Sequence, residues 1–169
     1  MTHLALATED VQERLLRGSS VDAQYHPLSH PHPLRQMFHD LLTFFDNTYR
    51  DVFGIVDGPP LHDPLAVAVV LDMLGVEDFG FEDGETEGET GNQWVVDVVT
   101  DGEHVDGKSH EEDGQLGRTV LVRPVVDGKG GVRIPRRIKR LDRFWEVINE
   151  TLDSAEKAGE KTKIWKTRD

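Results

Sequence analysis

The chain has 169 residues, 37% of them hydrophobic and 30% charged, with a net charge of −13. That surplus of acid argues against nucleic acid as a partner, because affinity for a polyanion rests on clustered Lys and Arg that neutralise phosphates. The absence of cysteine excludes disulfide frameworks, thiolate zinc sites and cysteine nucleophiles. No apolar run reaches the roughly 18 residues of a membrane-spanning helix, and the N-terminus lacks a signal-peptide layout, so the expectation is one soluble, cytoplasmic domain without membrane contact.

The opening Leu4-Ala5-Leu6 reads as the end of a buried strand or a loop leaving one. Thr8 sits where an N-cap would, Glu9 and Asp10 suit the positive end of a helix dipole, Val11, Leu15 and Leu16 form an apolar stripe, and Gly18 is a stop. This predicts a short helix over 9–17. Three prolines and three histidines within 19–33 predict a loop. Leu34, Met37, Phe38, Leu41, Leu42 and Phe45 then recur with helical period, which predicts a long helix to about Tyr49 with those side chains inside.

Residues 54–60 are rich in turn formers. Asp63 followed by Pro64 is the grammar of an N-cap and first helical residue, and 65–74 is apolar nearly all round, which predicts a helix buried in a larger body. Residues 77–91 carry seven acids and no base, and with 100–117 they predict two acidic, mobile surface loops. Strands are predicted over 93–99, 118–126 and 132–138, the first two suited to an antiparallel hairpin and the last two separated by the turn residues 127–131. A terminal helix is predicted over 142–157, with Phe144, Val147, Ile148 and Leu152 on its inner face and a frayed basic tail beyond.

The residues that carry chemistry are His62 and Asp63. An imidazole can donate a proton to a leaving group near neutral pH, and a carboxylate fixed at a helix start can bind a hard cation or hold a hydroxyl. Spacing alone favours the plainer alternative, a helix cap preceded by a loop histidine. His26, His30 and His32 are close enough in sequence for a transition metal, although proline-flanked loop histidines are more often solvated. The acidic stretch 77–89 lacks the alternating ligands of an EF-hand loop, and glycine-rich 127–131 lacks the Lys-Ser/Thr of a phosphate loop. Arg133, Arg136, Arg137, Lys139 and Arg140 form a basic patch that either meets an acidic partner or balances the acidic loops.

The string Gly58-Pro59-Pro60-Leu61-His62-Asp63-Pro64-Leu65-Ala66-Val67-Ala68 resembles the C-terminal signature of the inosine-uridine preferring nucleoside hydrolases. Thr2-His3-Leu4-Ala5-Leu6-Ala7-Thr8 resembles the family's stretch before its mid-chain helix, and Leu141-Asp142-Arg143-Phe144-Trp145 resembles the start of its terminal helix. The resemblance implies an α/β fold, here the C-terminal part of a nucleoside-hydrolase-like domain spanning 1–169, with an incomplete sheet flanked by helices. It implies cleavage of the N-glycosidic bond of purine and pyrimidine ribonucleosides by a calcium-bound water. His62 would be the acid for the departing base, Asp63 a calcium ligand that also touches the ribose, and Tyr49 a residue near the base.

The sequence departs from the family pattern in one respect. The family's cluster Asp-x-Asp-x-Gly-x-Asp-Asp, source of most calcium ligands and of the base that activates water, has no match in 1–169. The mid-chain Asn and Glu that hold the ribose are expected upstream of Met1. Calcium takes six to eight oxygens, so the expectation is a truncated chain, inactive alone and prone to oligomerise through uncovered apolar surface. The alternative expectation is a non-catalytic interaction module.

Overall fold

The computed structural model describes residues 4–18, 31–83, 93–100, 117–125 and 130–162. The chain separates into two compact units, one from 81–138 and the other from the segments on either side, 2–80 and 139–169. The described residues mix helices with small antiparallel sheets, and none of their helices is long and apolar enough to cross a membrane.

The described residues of the two-segment unit hold four helices: α1 (Glu9–Arg17), α2 (Pro33–Phe53), α3 (His62–Met73) and α4 (Leu141–Thr162). Helix α1 buries Val11, Gln12 and Leu15 and stops at Gly18, whose positive φ of 77° turns its N–H back to the Arg14 carbonyl. Thr8 occupies the N-cap position, yet its side chain makes no capping bond. Helix α2 starts at Pro33, where the missing N–H costs nothing, and the Nδ1 of His32 accepts from the Leu34 N–H at 3.2 Å. It ends at Gly54, in the left-handed region at φ 68°.

Helices α1, α2 and α4 meet at Arg35, a residue only 3% exposed. Its guanidinium donates to the Leu15 carbonyl on α1, to Asn149 Oδ1 on α4 at 2.8 Å and to the Asp153 carboxylate, and forms an ion pair with Glu156. A planar fork with five donors can serve several acceptors at once, which is how a buried cation is tolerated here. Phe144 of α4 packs edge-on against the fully buried Phe79 and against its neighbour Trp145. Asp72 near the end of α3 accepts the N–H groups of Phe79 and Gly80, at 2.7 and 3.2 Å. Glu77 receives two bonds from Arg143, at 2.8 and 3.0 Å, and the guanidinium holds the Glu77 carboxyl below its ordinary range.

Two expectations about packing are corrected. On α2, Leu42 is buried with Arg35, whereas Met37, Leu41 and Phe45 of the predicted inner stripe face solvent. Helix α3 buries Leu65 and Ala68 and exposes Val67 (60%), Val70, Met73 and Leu74 (70%), so it is not enclosed. Periodicity gives the apolar direction of a helix, but burial also needs an opposing surface, which for α2 lies on the side of Arg35 and Leu42. The terminal helix begins one residue before the predicted 142 and ends five after the predicted 157, running from Leu141 to Thr162, with Trp145 on its buried side.

The second unit is β-rich. Strand β1 (Phe81–Glu82) pairs antiparallel with β5 (Arg137–Ile138), Phe81 opposite Ile138. Strands β2 (Gln93–Val98), β3 (Thr119–Pro124) and β4 (Val132–Arg133) form a sheet in the order β3-β2-β4. The expected pairing of the first two strands is present, with Val98 opposite Thr119, Trp94 opposite Pro124, and a bulge at Val95 and Val96. The third predicted strand is split into β4 and β5, with Pro135, which has no N–H to offer a ladder, between them.

The first acidic loop is corrected at its start, since 77–83 contains β1 and the buried residues Phe79, Phe81, Glu82 and Asp83. Asp83 pairs with Arg133, and Glu82 lies 3.6 Å from Arg137. Arg140, at the start of the terminal segment, pairs with Asp78. The basic patch therefore balances these acids, the second of its two expected roles. Its charge complement lies next to buried aromatics, which is why counting charges in a window misread the stretch. The remainder of both acidic loops, 84–92 and 101–116, lies outside the described residues.

Candidate functional site

The approach to α3 is fixed by a short antiparallel pairing. Residues 5–7 run against 59–61: the Ala7 N–H donates to the Pro59 carbonyl and the Leu61 N–H to the Ala5 carbonyl, each at 3.0 Å, with Leu6 bridging Pro60. Pro59 and Pro60 have no N–H, so the only donors on this stretch come from positions that still carry one. Gly58 precedes it at φ 119°, and a Cβ there would stand 2.4 Å from the Ala7 carbonyl oxygen. Ala5, Ala7 and residues 58–61 are all buried. The two segments singled out in sequence, at the N-terminus and around His62, are thus joined side by side.

His62 emerges from this ladder as the first residue of α3, exposed, with Asp63 exposed beside it in the first turn. The expected capping role of Asp63 is corrected. Leu61 is the N-cap, no side chain caps the helix, and the Leu61 carbonyl receives the Leu65 N–H at 3.2 Å. The pairing of Leu61 with Ala5 ends the extended segment two residues earlier than an Asp-Pro rule predicts. Asp63 therefore has its carboxylate at the positive end of the helix without spending it on a cap.

Tyr49, from the last turns of α2, meets His62 edge to face, with ring centroids 6.4 Å apart and planes at 82°. On its other side Tyr49 packs against Phe53 at 5.4 Å. The three residues proposed from sequence therefore gather at one place, where the end of α2 approaches the start of α3. Sequence reading missed Phe53, whose i, i+4 spacing from Tyr49 was the available signal. It also missed Gln12, a polar residue on the apolar face of α1.

The metal question has a plain answer for this chain. Among the described residues no three His, Asp or Glu side chains gather as a metal-holding group. Asp63 alone offers two oxygens where calcium takes six to eight, so these residues do not fit a calcium site. Of the three clustered histidines, His32 is spent capping α2, and His26 and His30 lie outside the described residues.

The sequence profile of the inosine-uridine preferring nucleoside hydrolases matches residues 1–146. The chain belongs to that family. A uridine nucleosidase from Saccharomyces cerevisiae (strain ATCC 204508 / S288c) is 35% identical over 75 residues, 44% of this chain and 19% of that protein. The match thus spans about a fifth of the relative's length. For a member of this family, the ladder between 5–7 and 59–61 places a histidine and an aspartate at an open helix start beside an aromatic ring. That arrangement can present a proton donor and a hydroxyl acceptor to one ligand.

Proposed function

We propose that this chain forms the leaving-group side of a ribonucleoside hydrolase site, on the C-terminal portion of a nucleoside-hydrolase-like fold with an incomplete sheet. The observation that carries the reading is the exposed His62 at the start of α3, in ring contact with Tyr49 and adjacent to Asp63. Cleavage of the bond between C1′ and the base nitrogen sends its electron pair to the base and leaves an oxocarbenium-like ribosyl group. A nucleobase departs more readily when protonated, and His62 is the donor. Asp63 accepts hydrogen bonds from ribose hydroxyls, and Tyr49 flanks the base.

Attack by water on the opposite face requires a base and a set of ligands that the described residues do not assemble. The chain by itself is therefore expected to bind nucleosides weakly and not to hydrolyse them. The experiment is a titration of the labelled chain with uridine and inosine, the first suggested by the yeast relative, followed by NMR of the His62 and Tyr49 rings. Shifts confined to these residues at millimolar nucleoside are expected. Their absence overturns the binding half of the proposal, and release of ribose by the purified chain with calcium overturns the inactivity half.

A second reading, a non-catalytic interaction module, is favoured by the apolar side chains left exposed along α2 and α3, such as Phe44, Val52 and Leu74. It gains if His62 and Tyr49 ignore nucleosides while the chain self-associates in sedimentation.

A further inference from the structure

The polar side chain buried on the inner face of α1 has a use that reaches His62. Gln12 is 8% exposed and is flanked inside the helix by Val11 and Leu15. Its Nε2 donates to the Ala7 carbonyl at 2.8 Å. Ala7 is fully buried, so its carbonyl oxygen, without this donor, would face a large desolvation penalty. On its other side the same carbonyl is met at close range by Gly58, where a single added carbon would sit 2.4 Å away. The Ala7 carbonyl is therefore held between an amide donor on α1 and a glycine at the foot of the His62 loop.

We propose that Gln12 is a positioning residue for His62, acting through the Ala7 carbonyl and the ladder between 5–7 and 59–61. The sequence of contacts is short. Gln12 fixes the Ala7 carbonyl; the Ala7 N–H holds Pro59; the Leu61 N–H is held by Ala5; Leu61 is the N-cap of α3; and His62 follows it, against the ring of Tyr49. A rotation of the Ala7–Thr8 peptide would cost the Gln12 bond and drive the Ala7 oxygen toward or away from Gly58, whose backbone leads directly into Pro59 of the ladder. An apolar residue at position 12 would fill the space but leave that rotation open. The catalytic meaning of the position rests on the hydrolase reading of His62, whereas the positional linkage does not.

The test is NMR on the whole chain, unaltered and as Gln12→Leu and Gln12→Asn. In the unaltered chain the Gln12 side-chain amide should exchange with solvent at least tenfold more slowly than that of Gln36, which is exposed and bonded to Asp40. Equal rates overturn the proposal without any variant having to fold. In Gln12→Leu, the ring-current shift that Tyr49 imposes on the His62 ring protons should collapse by more than half, and the Ala7 and Leu61 amides should exchange at least tenfold faster. The Leu152 amide on α4 should stay unchanged. A role in stability alone would speed all three amides together and leave the His62 shift of the folded chain intact, and that pattern overturns the proposal. Gln12→Asn, one methylene short, should retain part of the His62 shift. No nucleoside is used, so a chain that passes here and yet ignores uridine refutes the hydrolase reading and leaves the positioning of His62 standing.

Discussion

Replacing Arg35 with methionine tests whether the buried guanidinium is what joins α1, α2 and α4. The substitution keeps most of the side-chain volume and removes every donor, leaving the Leu15 carbonyl, Asn149 Oδ1 and the Asp153 and Glu156 carboxylates to find others. Removing one partner of a buried ion pair costs about 3–5 kcal/mol, because the remaining charge stays desolvated. Here the two acids keep 25% and 20% of their side-chain surface and can draw in water, whereas Arg35 keeps 3%. The lower end, about 3 kcal/mol, is therefore expected, or a drop of roughly 6–12 °C in melting temperature for a chain of this size. Urea unfolding followed by circular dichroism measures it. The same logic predicts that Arg35→Met combined with Asp153→Leu and Glu156→Met recovers most of the loss, since no uncompensated charge then remains. A loss below about 1 kcal/mol in the single variant, or a triple variant no better than the single, would refute the reasoning.

Three further outcomes are expected. Gly58→Ala should cost more than about 2 kcal/mol, from a side chain at positive φ and a collision with the Ala7 carbonyl; an unchanged urea midpoint argues against that close approach. Arg143 holds the Glu77 carboxyl below its ordinary value of 4.5, so this pair adds stability above that value and loses it as pH falls through the lowered one. The stability gap between the unaltered chain and Glu77→Gln should thus be present near neutral pH and close as pH falls through the lowered value; a gap that widens in acid contradicts the assignment. Finally, Phe44→Glu with Val52→Lys, both at exposed positions on α2, should leave helicity intact and lower the binding of an apolar-surface dye. Unchanged dye fluorescence would show that this face is already covered.

Much of the local structure was legible because local rules wrote it. Helix α1 has its predicted ends because acids open it and a glycine at positive φ closes it. The pairing of β2 with β3 followed from two strand-forming runs separated by a charged loop. Of the three candidate residues, His62 and Asp63 were named from a motif and Tyr49 from its place at the end of the long helix, and the structure sets the Tyr49 ring against His62 at the junction of α2 and α3. What remained illegible depended on distant partners. Asp63 does not cap α3, because Leu61 is captured by Ala5, more than fifty positions away. Glu82 and Asp83 are buried where charge counting predicted solvent, because Arg137 and Arg133 come back to meet them.

The sequence by itself determined the chain's helices, the pairing of β2 with β3 and its family signature, and it singled out His62, Asp63 and Tyr49 as candidates, since these are written in periodicity, turn residues and motif. Only the tertiary structure decided which face of α2 is inside, that Arg35 rather than the apolar stripe joins the helices, and that Gln12 reaches the foot of the His62 loop. The physical reason is the same in each case. Periodicity and propensity act within a few residues, whereas the burial of a polar group is permitted only where the fold supplies its partner.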